Sequence, residues 1–263
     1  MSARDSEEAT RAKYESGERA GYEPANVSRL PGGSGDYFDR LLELKLDAAA
    51  ALAPQGRLLD LGCGNGLHLL ALQEACREGI GIDFSRALLG EAERRRRGEK
   101  VAHVRFAVGN ARRLPVRDAS VDGLFSFSAL YYMPHLNEVL MEIARVLRPG
   151  GKCLLELGHA GSLNALVARA HPELAESFLL GRRTMRRELE RAGLKVEREK
   201  RLQILPLWGE RPAWLRPALG PRAKSVLQRR LGGRMVDEWL CSVPGLGRAA
   251  FRWWFWCVKE RVR

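Results

Sequence analysis

Apolar positions change their period several times along this chain, and each change predicts an element. Between Tyr37 and Leu52 they recur at helical spacing (Phe38, Leu41, Leu42, Leu44, Leu46), which predicts an amphipathic helix covering one face of a sheet. After it the pattern alternates. Short apolar runs near 57–61, 79–83, 103–108, 121–126 and 152–158 read as strands, and helical periods near 66–77, 85–97 and 137–147 separate them. Such alternation implies a parallel sheet with right-handed crossovers. Residues 159–180 read as an insertion, 182–192 as a helix and Leu194 to Leu202 as a sixth strand. Prolines at 206, 212, 217, 221 and 244 break residues 203–250 into amphipathic pieces, which predicts a helical cap. The end, Phe251 to Lys259, is aromatic and β-branched and favours a strand. Its rival is an interfacial helix with tryptophans among lipid headgroups.

The densest chemical signal lies at the end of the first strand. Leu58-Leu59-Asp60-Leu61-Gly62-Cys63-Gly64-Asn65-Gly66 runs an apolar strand into a carboxylate and then into glycines at alternate positions, with a helical run of leucines behind it. Glycine lets the backbone approach a ligand closely, and a helix N-terminus presents N–H groups to an anion. Gly62 and Gly64 fit a dinucleotide fingerprint, but Leu67 stands at its third glycine position. Gly79-Ile80-Gly81-Ile82-Asp83 ends a second strand in a carboxylate, the place from which a ribose is held. Then come Val104 to Ala111 with Leu114-Pro115, Ser120 to Ser126, and Glu142 to Lys152 with its Arg148-Pro149-Gly150-Gly151 turn.

In this order and spacing the five segments, over about residues 55–158, resemble the motifs of class I S-adenosylmethionine (SAM)-dependent methyltransferases of the type 11 group. The resemblance implies an α/β fold: a Rossmann-like, seven-stranded, mostly parallel sheet with helices on both faces and a helical C-terminal cap insertion. It divides the chain into an N-terminal extension or lid (1–36), a SAM-binding core (37–202), the cap (203–250) and a last strand completing the core sheet (251–263). The implied cofactor is SAM. Carried over position by position, Asp60 takes the methionine ammonium, directly or through water, while Gly62, Cys63, Gly64 and Gly66 give backbone contact to the methionine part. Asp83 binds the ribose, Phe84 packs on the adenine face, Asn110 and Ala111 meet the adenine edge, and Ser126 lines the methionine side. The family usually has aspartate where Asn110 stands; an asparagine carbonyl still accepts a hydrogen bond from the adenine amino group.

Methyl transfer from SAM is an in-line displacement whose leaving group departs neutral. Orientation supplies much of such a rate, about 7–11 kcal/mol in well-aligned reactions, and an oxygen, nitrogen or carbon nucleophile also calls for a base. The implied architecture points the methyl at the ends of strands four and five, near Ser126, Ser128, Tyr131, Tyr132, Glu156 and His159. His159 is the expected base, against the reading of a loop histidine in water. Tyr131 stands where family members often have histidine; with an unperturbed pKa of ~10 it reads as a substrate wall or hydrogen-bond donor. His68, just after the glycine turn, reads as structural.

Composition narrows the partners. The 263 residues suffice for one α/β domain with additions. No run of 18 apolar residues is present, and Met1 to Ala12 is unlike a signal or transit peptide, so a cytoplasmic protein, at most peripheral to a membrane, is expected. Cysteines at 63, 76, 153, 241 and 257 lack metal-ligand spacing and read as buried thiols, with no metal expected. Residues 182–263 hold 21 Lys and Arg against 8 Asp and Glu, a surplus of 13 where the whole chain has 12, and all six tryptophans (208, 214, 239, 253, 254, 256). A cap rich in Trp and Leu suits a small-molecule, amphipathic or lipid-linked acceptor, and clustered arginines suit phosphate or an anionic membrane. An RNA methyltransferase using the basic third is the alternative, although no RNA-binding module is present. A protein that holds SAM without turnover is the third reading.

Overall fold

The computed structural model describes residues 35–52, 54–170, 177–204, 206 and 212–260. The lid expected over 1–36 lies, up to residue 34, outside the described residues, as do Trp208 and the last three residues of the final segment. Helix α1 (Gly35–Ala50) leads into β1 (Arg57–Leu61), α2 (Leu67–Ala71), β2 (Glu78–Asp83), α3 (Arg86–Gly98), β3 (Val104–Val108) and β4 (Val121–Ser126). Then follow α4 (Leu136–Val146), β5 (Leu147–Gly158), α5 (Leu163–Ala170), α6 (Arg182–Arg191) and β6 (Leu194–Leu202). The cap carries α7 (Arg216–Leu219), α8 (Pro221–Gln228), the strands β7 (Arg230–Leu231) and β8 (Arg234–Met235), and α9 (Val236–Ser242), before β9 (Arg252–Lys259).

Seven strands form one sheet in the order β3-β2-β1-β4-β5-β9-β6. Strands β1 to β5 pair in parallel, and β9 runs antiparallel between β5 and β6. The side chains of β9 explain its place. Trp253, Phe255 and Cys257 bury in the core beneath α4 and α6, with Val139, Ile143, Met185 and Leu189. Trp254 buries on the opposite face with Tyr37, Leu41, Leu69 and Phe125. A segment apolar on both faces fits an interior strand, not a helix lying on a membrane. Burying each large apolar side chain contributes roughly 1.5–3 kcal/mol.

Three elements differ from their expected bounds. Helix α2 stops at Ala71 and tightens into a 3₁₀ turn at Gln73–Ala75 instead of running to 77. The carbonyls of that 3₁₀ turn are captured from outside: Ala75 accepts from the Gln55 N–H, Glu74 from the Gln55 amide, and Gln73 meets the His103 ring, each at 3.0 Å. Strand β5 starts early, at Leu147, which pairs with Val121 ahead of a register shift. The cap is helical but includes the β7–β8 ribbon, where Gly232 and Gly233, both at positive φ, make the two-residue turn.

Candidate active site

The loop after β1 is shaped by its glycines. Gly62, Gly64 and Gly66 have φ of 75°, 52° and 77°, in the left-handed region that β-carbon-bearing residues avoid. A Cβ on Gly62 would lie 2.5 Å from that of Ala129, and one on Gly66 2.7 Å from the Phe106 ring, so packing alone forbids them. Among the described residues, a Cβ at Gly64 would meet only Leu88, at 3.9 Å, and the position is otherwise open.

Asp83 at the tip of β2 ties the loop down. Its Oδ2 accepts from the Gly64 N–H at 2.8 Å and its Oδ1 from the Ser85 N–H at 2.9 Å. The Phe84 N–H bonds the same carboxylate, which still has acceptor capacity left for a ligand hydroxyl. Phe84 beside it is half-buried. Asn110 is exposed, and its Oδ1 accepts from the Arg112 N–H at 2.9 Å, which folds the turn bearing half-buried Ala111. Two other expected contacts serve packing. Ser126 is fully buried and donates to the Leu61 carbonyl at 2.7 Å, joining β4 to β1. Burial pushes the Cys63 thiol well up, so it stays protonated.

Asp60 is 1% exposed, and its Oδ2 has no hydrogen-bond partner among the described residues. Burial, then the neighbouring Asp83 charge, raise its pKa well above the usual range, with Lys45 opposing. Five residues on, Asn65 is also buried, and its Nδ2 donor has no partner there either. A buried acceptor and a buried donor in one loop, neither paired among the described residues, are costly unless a ligand pairs them. Together they match the ammonium and carboxylate of an amino-acid ligand. The glycine loop, the open face at Gly64 and this orphan pair therefore fit the methionine end of SAM.

A second polar cluster sits at the ends of β4 and β5, built from residues far apart in sequence. Glu156 is fully buried. Its Oε1 accepts from the Ser128 N–H at 3.0 Å and from Arg252, and its Oε2 accepts from the Trp254 indole at 2.8 Å. Lys45 of α1, 2% exposed, donates to the Ser128 hydroxyl at 3.0 Å. Arg252 also donates to Ser128 at 2.9 Å, to the Tyr131 oxygen at 3.3 Å and to Gln203 at 2.7 Å. Burial would raise the Glu156 pKa, but Arg252 and Lys45 bring it down to about 2. Burial lowers the Lys45 pKa to about 8 despite Glu156 and Asp60 nearby. His68 packs on Phe125 and Phe127, and burial with Lys45 brings it down to about 3, so it is a neutral packing group. The hints of this cluster in the sequence were a lysine on the apolar stripe of α1, a glutamate inside the apolar run of β5 and an arginine ahead of the tryptophans.

Tyr131 is 4% exposed, and burial pushes its hydroxyl well above 10, which removes it as a base near neutral pH. It packs on Tyr132 and Phe251, with ring centroids 4.7 and 5.3 Å apart. His159 lies apart from the Glu156 cluster in its contacts. Its ring packs 5.1 Å from Trp253 and bonds the Arg248 backbone, while Nδ1 is buried without a partner among the described residues. Burial lowers its pKa and keeps the ring neutral.

Comparison with known proteins agrees with this geometry. A family model described as a methyltransferase domain, the type 11 model, matches residues 59–155. The chain is 33% identical over 143 residues to an arsenite methyltransferase of Halobacterium salinarum, covering 51% of this chain and 34% of that one. It is 32% identical over 171 residues to the O-methyltransferase cnsE of Penicillium expansum, covering 62% and 59%. The chain spans about a third to a half of the length of the first curated relatives it matches. A solved geranyl diphosphate C-methyltransferase from Streptomyces coelicolor superposes with a TM-score of 0.58 at 18% identity, over 84% of this chain and 80% of that one. Residues 59–155 thus match the type 11 methyltransferase domain, and that match, with the relatives and the fold, supports a class I SAM-dependent methyltransferase.

Proposed function

We propose that the chain transfers a methyl group from SAM to a small-molecule acceptor. The observation that carries this is the orphan pair in the glycine loop, Asp60 Oδ2 and Asn65 Nδ2. When bound, SAM supplies a methyl activated by its sulfonium. The chain's own residues do the rest. Asp60 accepts from the ammonium and Asn65 donates to the carboxylate. Asp83 keeps the loop in place and offers its remaining lone pairs to the ribose, beside Phe84. Asn110 and Ala111 take the adenine edge, and the loop backbone at Gly62, Cys63, Gly64 and Gly66 follows the methionine chain. Ser126 acts indirectly, by holding β4 against β1.

On the acceptor side, Tyr131 and Phe251 form an aromatic wall beside Gly158. This wall supports an acceptor with apolar parts. The printed names of the arsenite methyltransferase and the geranyl diphosphate methyltransferase likewise concern small acceptors. We assign proton acceptance to His159: burial favours its neutral ring, and Nδ1 has no partner among the described residues. Tyr131 is a wall. Incubating the protein with methyl-labelled SAM and fractionated lysate tests the reading. Label in a small-molecule or lipid fraction supports it, and label confined to RNA, or none with SAM demonstrably bound, contradicts it. A His159→Gln variant that keeps full turnover and an unshifted pH profile would remove His159 from the proton step.

A further inference from the structure

The surface of the cap carries a pattern that methyl transfer does not use. Eight large hydrophobic side chains are exposed among the described residues, and six belong to residues 212–250: Trp214, Val226, Leu231, Trp239, Val243 and Leu246. Trp214 is 67% exposed and Leu231 58%. Scattered single apolar residues need no account, but clustering on one segment does. Local contacts tie parts of the cluster together. The Trp239 indole donates to the Leu231 carbonyl at 3.2 Å, Arg234 stacks 4.6 Å above the Trp239 ring, and the Gly247 N–H returns to the Val243 carbonyl at 2.8 Å.

The charges around it have one sign. Arg216, Arg222, Arg229, Arg230 and Arg248 are exposed on the same segment. Its two acids, Asp237 and Glu238, are turned inward and 1% and 4% exposed. Asp237 accepts from the Tyr37 hydroxyl at 3.0 Å and from the N–H groups of Gln203 and Ile204 at 2.9 Å each. Glu238 is held by Arg40 at 2.9 Å. Among the described residues of 212–250, no carboxylate reaches the surface. Glu43 of α1, 3.1 Å from Arg230, is an acid at its margin.

We propose that this face of the cap docks on an anionic lipid bilayer. The arginines meet lipid phosphates, and the two tryptophans with Leu231, Leu246, Val226 and Val243 enter the boundary between headgroups and acyl chains. Tryptophan prefers that boundary, arginine extends its apolar stem through it, and each basic residue near an anionic surface adds attraction that salt screens. Aliphatic side chains decide against RNA, whose bases stack on aromatic rings and guanidinium planes. Docking is a binding property that holds whether or not the bound chain transfers a methyl group.

Co-sedimentation of the full chain with phosphatidylcholine vesicles, with and without phosphatidylglycerol, tests this. SAM binding is measured on the same preparations. The expected result is binding to the anionic vesicles at low salt, lost on adding salt and absent from neutral vesicles. Arg222→Gln and Arg229→Gln, which each remove one positive charge, should each weaken the partition by about fivefold. Trp214→Ala and Trp239→Ala should weaken it while leaving its salt dependence in place. All four side chains are exposed and outside the cofactor loop, so SAM binding should be unchanged in these variants. Absence of vesicle binding at low salt overturns the proposal. So does equal binding to neutral and anionic vesicles, or indifference to all four substitutions. A tRNA gel shift that responds to the arginine variants while vesicles do not bind assigns the face to RNA instead.

Discussion

At the scale of single residues, the three loop glycines make separable demands. Gly62→Ala and Gly66→Ala force a Cβ into Ala129 or Phe106 and should destabilise the fold by about 1–3 kcal/mol. Gly64→Val meets no such wall, so its main effects are the left-handed backbone and the loss of ligand space. It should leave a folded protein that does not bind SAM, and a chevron or melting curve beside a binding isotherm separates the two classes. Asp83→Ala removes the clamp on Gly64 and should weaken SAM by roughly 1.5–3 kcal/mol; an unchanged isotherm would exclude Asp83 from the site. Asp60 and the glycines were legible because the signal is a contiguous run. Asn65 was not, because what marks it is burial without a partner, which composition and spacing do not carry.

The buried cluster makes predictions of another kind. Glu156→Gln leaves Lys45 and Arg252 without their counter-charge and should cost about 3–5 kcal/mol in urea unfolding. Its pH signature is specific. The Glu156 carboxyl, at about 2 in the fold, titrates near 4.3 when unfolded. Its stabilisation is complete above that value and lost as pH falls toward 2. Lys45 goes the other way, at about 8 in the fold against about 10.4 unfolded. Between those values the unfolded chain binds more protons, so stability rises with pH through that window. Lys45→Met should abolish the rise, and persistence of the rise in that variant would mean another group causes it.

At the scale of elements, the alternation of period predicted the parallel core well because its inner strands β1, β2, β4 and β5 bury on both faces, while only the edge strand β3 stays largely exposed. The last strand was legible for the same reason: Trp253 and Phe255 alternate with Trp254 between the two cores. The early end of α2 was not, since Gln55 and His103, distant in sequence from one another, hold the carbonyls of the 3₁₀ turn that replaces its last turn. The β7–β8 ribbon in the cap rests on the Gly232-Gly233 pair, a hairpin cue that a proline-based reading of the segment passed over. The Glu156 cluster joins α1, the loop after β4, β5 and β9, elements up to 207 positions apart between Lys45 and Arg252, and no local pattern announces such a meeting.

At the scale of the whole molecule, the sequence localised the positive surplus and the tryptophans to the last third but not their division of labour. Trp253 and Trp254 are core, while Trp214 and Trp239 are surface. The parallel strands and the cofactor loop belong to the first two thirds, and the central claim concerns that loop: Asp60 and Asn65 hold the amino-acid end of SAM. Titration calorimetry of wild type, Asp60→Ala and Asn65→Ala, each with SAM and with 5′-methylthioadenosine, which lacks that end, tests it most directly. The account predicts that wild type binds SAM, and that both substitutions weaken SAM by about ten- to a hundredfold while leaving methylthioadenosine affinity unchanged. No SAM binding by wild type, or equal losses for the two ligands in folded variants, would contradict it.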